Sequence, residues 1–111
     1  MHYAQAEFLH NGNQFSEALE SLREVVKRDP SFVEAFFRSG IIYLELDSLS
    51  QAYNNFNIVV NKQPMMAKGY YYRGLVAEKQ GNKTQAKSDY EQTLTFDEAF
   101  TKAAEALKAL Q

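Results

Sequence analysis

Residues 32–64, FVEAFFRSGIIYLELDSLSQAYNNFNIVVNKQP, decide the fold. Phe32, Phe36, Gly40, Tyr43 and Leu44 recur at steps of three and four, the spacing that lines one face of an α-helix. Asp47-Ser48 interrupts that pattern, and Leu49, Ala52, Phe56, Val59 and Val60 resume it on a second helix closed by Asn61-Lys62-Gln63-Pro64. So short a connection makes the two helices antiparallel neighbours, and the stretch reads as one helical hairpin.

The same hairpin echoes on both sides. Ala18, Ala52 and Ala86 stand 34 residues apart, as do Ala6, Gly40 and Gly74, and Pro30 and Pro64. Upstream, Tyr3, Ala6, Phe8 and Leu9 suit a short helix ending at Asn11-Gly12-Asn13, and Phe15, Ala18, Leu19, Leu22, Val25 and Val26 suit its partner. Downstream, Ala67, Tyr70, Gly74 and Ala77 lead to Gly81-Asn82, and Ala86, Tyr90 and Leu94 lead to Asp97. A small residue kept at a fixed period marks a crossing where two helix axes approach to about 8–10 Å. A last helix carries Phe100, Ala103, Ala104, Leu107 and Leu110 on one side with Lys102, Glu105 and Lys108 elsewhere, as befits a cap over the apolar flank of a terminal unit.

The expected architecture is therefore all-α, a single-domain solenoid of three antiparallel helix-turn-helix repeats plus a capping helix. The repeats fall at about 1–30, shortened at its start, 31–64 and 65–98, with the cap at about 99–110. Lys108, standing where Ala6, Gly40 and Gly74 are small, argues against a fourth helix pair.

Composition narrows function by exclusion. A 111-residue chain that is 45% hydrophobic and 23% charged is a soluble globular chain with one core. No run approaches the roughly 18 apolar residues of a membrane span, and no basic, apolar leader follows Met1, so no membrane insertion is expected from this segment. The compartment stays open, with the cytoplasm slightly favoured. The absence of cysteine removes disulfides, thiolate nucleophiles and thiolate metal ligation. A net charge of −2 offers no basic surface for a phosphate backbone, so nucleic acid is not an expected partner. Arg23 with Lys27-Arg28 reads as a solvated helix end whose charge complements the helix dipole.

Chemistry is equally sparse. His2 and His10 are the two histidines, remote from any arranged carboxylate pair. No phosphate loop, nucleophile elbow or zinc-protease motif occurs, so no catalytic residue, metal ligand or cofactor is expected and the chain is read as a non-enzyme. Tyr70-Tyr71-Tyr72 cannot form a stacking ladder for single strands, because successive helical residues point about 100° apart. That rotation assigns Tyr70 to the core and Tyr71 and Tyr72 to an open face.

The small residues at Ala6, Gly40 and Gly74, the alanines at Ala18, Ala52 and Ala86, the aromatics Phe36 and Tyr70, the large residues Leu22, Phe56 and Tyr90, and the closing prolines together resemble the tetratricopeptide repeat family. The resemblance covers most of the chain. It departs at His2, where the family favours a bulky aromatic, and at the end of the third unit, which lacks the proline. It implies a right-handed superhelix and a protein–protein interaction scaffold, whose first helices line a concave groove.

Carried onto this sequence, the groove holds Tyr3, Glu7 and His10 from the first unit. The second supplies Glu34, Phe37, Arg38, Ile41 and Glu45, and the third Lys68, Tyr71, Tyr72, Leu75 and Lys79. The implied ligand is a protein or peptide segment, extended or briefly helical, with apolar side chains anchored on Phe37 and Tyr71 and carboxylates or carbonyls held by Arg38 and Lys68. Family members that clamp the terminal carboxylate of heat-shock chaperones use Lys, Asn and Arg; among Tyr3, Glu7, Arg38, Lys68 and Tyr72 only Lys68 matches in type, which disfavours that role. Three alternatives stand beside the groove: packing of Phe37, Ile41, Tyr71 and Leu75 against neighbouring helices, self-association as a homo-oligomer, and service as an accessory domain of a larger protein.

Overall fold

The computed structural model describes residues 14–110. Among them are six α-helices and no strand: α1 (Phe15–Arg28), α2 (Val33–Glu45), α3 (Leu49–Lys62), α4 (Ala67–Lys79), α5 (Lys83–Phe96) and α6 (Thr101–Ala109). Each packs against the next along the chain. The helix expected around Tyr3–Leu9, with His2 and His10, lies outside the described residues.

The turns inside the hairpins share one backbone solution. Asp47 and Gly81, 34 residues apart, adopt positive φ of 61° and 83° one residue past the ends of α2 and α4, after the caps Leu46 and Gln80. The Ser48 N–H donates to Tyr43 O at 2.8 Å and the Asp47 N–H to Leu44 O at 3.0 Å; the Asn82 N–H donates to Ala77 O at 2.9 Å and the Gly81 N–H to Glu78 O at 3.0 Å. These paired bonds satisfy carbonyls that a helix end leaves without partners, and they need a left-handed residue that glycine supplies without strain and aspartate at some cost. Asn82 then caps α5, its side chain accepting from the Gln85 N–H at 3.1 Å.

The turns between hairpins also repeat. Asp29, Gln63 and Asp97 all take extended backbones after α1, α3 and α5, with φ between −133° and −149°. Pro30 and Pro64 enforce that shape on the residue before them. Asp97 adopts it with Glu98 in the proline's place, held by a hydrogen bond from the Ala99 N–H to its side chain at 3.1 Å. Asp29 accepts the same bond from the Ser31 N–H at 3.2 Å beside Pro30, so the aspartate turn forms with or without the ring, and α6 starts at Thr101 with Phe100 at its cap.

At the helix crossings, Ala18, Ala52 and Ala86 are fully buried, and Leu22, Phe56 and Tyr90 fill the space beside them. A Cβ on Gly40 would lie 2.7 Å from the Phe56 ring, and one on Gly74 would lie 2.8 Å from the Tyr90 ring. The small residue in the first helix and the large residue in the second are therefore two halves of one contact.

Candidate interaction surface

Helices α2 and α4 lie side by side on the face that carries most of the groove residues read from the sequence. Lys68 Nζ sits 3.7 Å from Glu34 Oε1 and 4.4 Å above the centre of the Phe37 ring, so one ammonium joins the two helices through a carboxylate and an aromatic face. Arg38 Nε lies 3.7 Å from Glu34 Oε2 one turn along. Glu34, Arg38, Ile41, Lys68, Tyr72 and Leu75 are all partly exposed. Tyr3 and Glu7 fall outside the described residues.

Phe37 and Tyr71, the two aromatic anchors read from the sequence, are 8% and 9% exposed. Phe37 meets Phe56 and Tyr72 edge-on at 5.7 and 5.3 Å, under the Lys68 ammonium. Tyr71 lies 5.2 Å from Tyr72, 5.9 Å from Tyr90 and 5.0 Å from Phe100 at the start of the cap. Burial raises its hydroxyl pKa, with Tyr72, Glu78 and Glu105 adding to the rise. These rings are the floor of the face rather than its surface. A rotation of about 100° from the packed side leads, in so narrow a stack, into the seam with the next repeat instead of into solvent.

Tyr70, assigned to the core by the sequence, is partly exposed on the other side of α4. Its ring stacks on Phe96 at 5.6 Å, and its hydroxyl donates to Pro64 O at 2.6 Å. Tyr71 takes the core position instead.

On that same side lies a polar cluster that sequence reading missed. Asp89 on α5 is fully buried, and Arg73 on α4 grips it: Nη2 donates to Oδ1 at 2.7 Å, while Nε lies 3.2 and 3.1 Å from the two oxygens. Nη1 donates to Asn57 Oδ1 at 2.8 Å, Gln85 Nε2 donates to Asp89 Oδ1 at 3.1 Å, and the guanidinium faces the rings of Tyr70 and Tyr53 at 5.6 and 5.9 Å. Burial opposes the guanidinium's charge, but the bonds and charge of Asp89 more than offset it and its pKa rises. A carboxylate at Asp89, between Ala86 and Tyr90 on the buried stripe of α5, was the available signal, since such a position demands a cationic partner.

One repeat earlier, the same place is open. Thirty-four residues before Arg73, Asn57 and Asp89 stand Ser39, Arg23 and Asn55, and between α1, α2 and α3 lies a recess of about 130 Å³. Leu19, Leu22, Val26 and Phe36 give it apolar walls, with Arg23, Ser39, Tyr43 and Asn55 completing the lining.

The sequence matches tetratricopeptide repeat profiles over residues 3–53 and 68–95. The chain belongs to the tetratricopeptide repeat family. These repeats generally mediate protein–protein interaction, and their fold is typically a non-catalytic scaffold. The chain is 26% identical over 102 residues to a probable UDP-N-acetylglucosamine–peptide N-acetylglucosaminyltransferase, SPINDLY, of Solanum lycopersicum, with 92% of the chain and 11% of that protein covered. It is 30% identical over 102 residues to the general transcriptional corepressor ssn6 of Schizosaccharomyces pombe, with 90% of the chain and 9% of that protein covered. The chain thus spans about a tenth of the length of these relatives.

Among solved structures, the tetratricopeptide repeats here superpose on MamA with a TM-score of 0.93 at 22% identity, covering 98% of this chain and 64% of that one. They superpose on the first such domain of Spaghetti (RPAP3), bound to the HSP90 peptide SRMEEVD, with a TM-score of 0.94 at 19% identity, covering 98% and 86%. These likenesses establish the fold. Among the described residues, no helix is long and apolar enough to cross a membrane, and no group of three His, Cys, Asp or Glu side chains could hold a metal ion.

Proposed function

We propose that this chain is a non-catalytic docking scaffold that holds a segment of another protein against the face shared by α2 and α4. The observation that carries the reading is Lys68, which bridges to Glu34 and roofs Phe37 while its own side chain stays 43% exposed. A ligand carboxylate or carbonyl can take over the ammonium, and Arg38 offers a second donor at the rim. Ile41, Tyr72 and Leu75 supply accessible apolar area, while Phe37 and Tyr71 keep the floor rigid. The Spaghetti domain, of the same fold and bound to a peptide, supports a peptide as the ligand class.

The test is peptide-array or crosslinking capture with the wild-type chain and with Lys68→Glu/Leu75→Glu, both at partly exposed positions, with helicity followed by circular dichroism. Loss of the captured segments from a helical variant is expected; retention of the same segments overturns the reading. Phe37→Glu and Tyr71→Glu are unsuitable probes, because they place carboxylates among buried rings and unfold the stack.

Exposed apolar side chains favour self-association as a second reading. Phe96 is 38% exposed where the echo has Arg28 and Lys62, and Met65 is 76% exposed in the turn before α4. Light scattering that shows a concentration-independent monomer excludes it. Either activity is compatible with an accessory role inside a longer polypeptide.

A further inference from the structure

We propose that the recess between α1, α2 and α3 is a second binding site, one that takes an aromatic side chain of a protein partner with a carboxylate next to it. The site is independent of the α2–α4 face: α2 presents Glu34, Arg38 and Ile41 there, and Phe36, Ser39 and Tyr43 to the recess.

Size sets the first constraint. A volume of about 130 Å³ is close to the roughly 150 Å³ of an apolar cavity that accepts a benzene molecule, so the recess is ring-sized. Leu19, Leu22, Val26 and Phe36 make its walls apolar.

The neighbouring repeat sets the second. There the chain closes the equivalent space from within, by reaching Arg73 across to Asp89 and Asn57. Ser39 is too short to reach, and Asn55 has already committed its Nδ2 to Gln51 O at 2.8 Å. No side chain of the repeat closes this space, which stays open to an occupant from outside.

Charge sets the third, and its sign is opposite to that of the closed space. Among the described residues, Arg23 is the single charged one lining the recess, whereas the closed equivalent is built around a carboxylate. Arg23 Nη1 meets Glu20 Oε2 at 2.7 Å, but both side chains are more than half exposed, and Glu20 does not line the recess. Such a pair is weak enough to be exchanged for an incoming carboxylate that adds a ring in the recess. A cationic side chain, the occupant one repeat later, is disfavoured by Arg23.

The probe is N-acetylphenylalanine, which joins a ring to a carboxylate, titrated at millimolar concentration into the 15N-labelled 111-residue chain. N-acetylphenylalaninamide, lacking the carboxylate, and N-acetylglycine, lacking the ring, serve as controls. Saturable shifts at Leu19, Val26, Phe36 and Ser39 are expected, with the amide roughly tenfold weaker and N-acetylglycine without effect. Arg23→Asn/Ser39→Arg/Asn55→Asp transplants the neighbour's plug and should abolish the shifts while the chain stays helical; Ser39→Phe, which fills the space alone, should do the same if the triple variant does not fold.

Absence of localised shifts, shifts that persist in the filled variants, or equal binding of acid and amide would overturn the proposal. So would contacts from residues 1–13 into the recess in the free chain, or a dimer that the plug variants dissociate, which would make a second copy the occupant.

Discussion

Ser39 and Arg73 hold the same place in successive repeats and organise opposite surroundings. Around Arg73, a buried carboxylate, an amide and two tyrosine rings close on one guanidinium and seal the seam between repeats. Around Ser39 the same backbone frame leaves an open, ring-sized recess rimmed by Arg23. The scaffold is indifferent to the choice, because the crossing contacts of Gly40 with Phe56 and of Gly74 with Tyr90 persist in both. A repeat protein can thus vary its surface chemistry at the seams while its axis-to-axis packing stays constant.

The largest effect is expected from making the closed seam imitate the open one. Arg73→Ser leaves Asp89 buried without its cation and should cost about 3–5 kcal/mol in urea denaturation. Adding Asp89→Asn should recover most of that loss, since no charge is then stranded. A double variant as unstable as the single would show that the guanidinium acts by filling space rather than by pairing charge.

Next in size are the crossings. Gly40→Ala and Gly74→Ala each place a methyl within 2.8 Å of a ring and should cost about 1–3 kcal/mol despite the better helix propensity of alanine. Gly74→Ala should cost more, because Tyr90 cannot retreat without weakening the bond from its hydroxyl to Glu78 Oε1 at 2.7 Å, whereas Phe56 has no such tether. Equal thermal melting shifts would remove that distinction.

Tyr90→Phe isolates the tether, and about 1 kcal/mol should be lost at neutral pH. Burial, and then the bond and charge of Glu78, push the Tyr90 hydroxyl pKa well above its ordinary 10.0. Below pH 10 both folded and unfolded chains keep this proton; above it the unfolded chain releases the proton first, so stability falls as pH rises. The variant should lose stability less steeply than wild type between pH 10 and 12, as read by denaturant midpoints.

The smallest effect compares the two hairpin turns. Asp47→Gly should gain about 0.5–1 kcal/mol by relieving a positive φ, and Gly81→Ala should lose a similar amount. Chemical denaturation of both variants checks the pair.

Much of the frame was legible because it depends on local rules. The three- and four-residue steps, Pro30 and Pro64, and the 34-residue return of small residues mark helices, breaks and crossings without any partner helix in hand. Of the positions read as a face of α2 and α4, Glu34, Arg38, Ile41, Lys68, Tyr72 and Leu75 are partly exposed. Phe37, Tyr71 and Tyr70 were misplaced because a helical wheel gives direction from one axis, while burial depends on which neighbour occupies that direction. Arg73 and Asp89 escaped because their union spans two helices and 16 residues.

What the sequence determined by itself was therefore the period: helix lengths, breakers and small crossings follow from interactions within a turn or two of the chain. Tertiary structure alone decided which seam is sealed and which is open. A long side chain fills a gap only when the backbones bring its partner within hydrogen-bond reach, as they bring Asp89 to Arg73, and Ser39 cannot span the equivalent distance one repeat earlier.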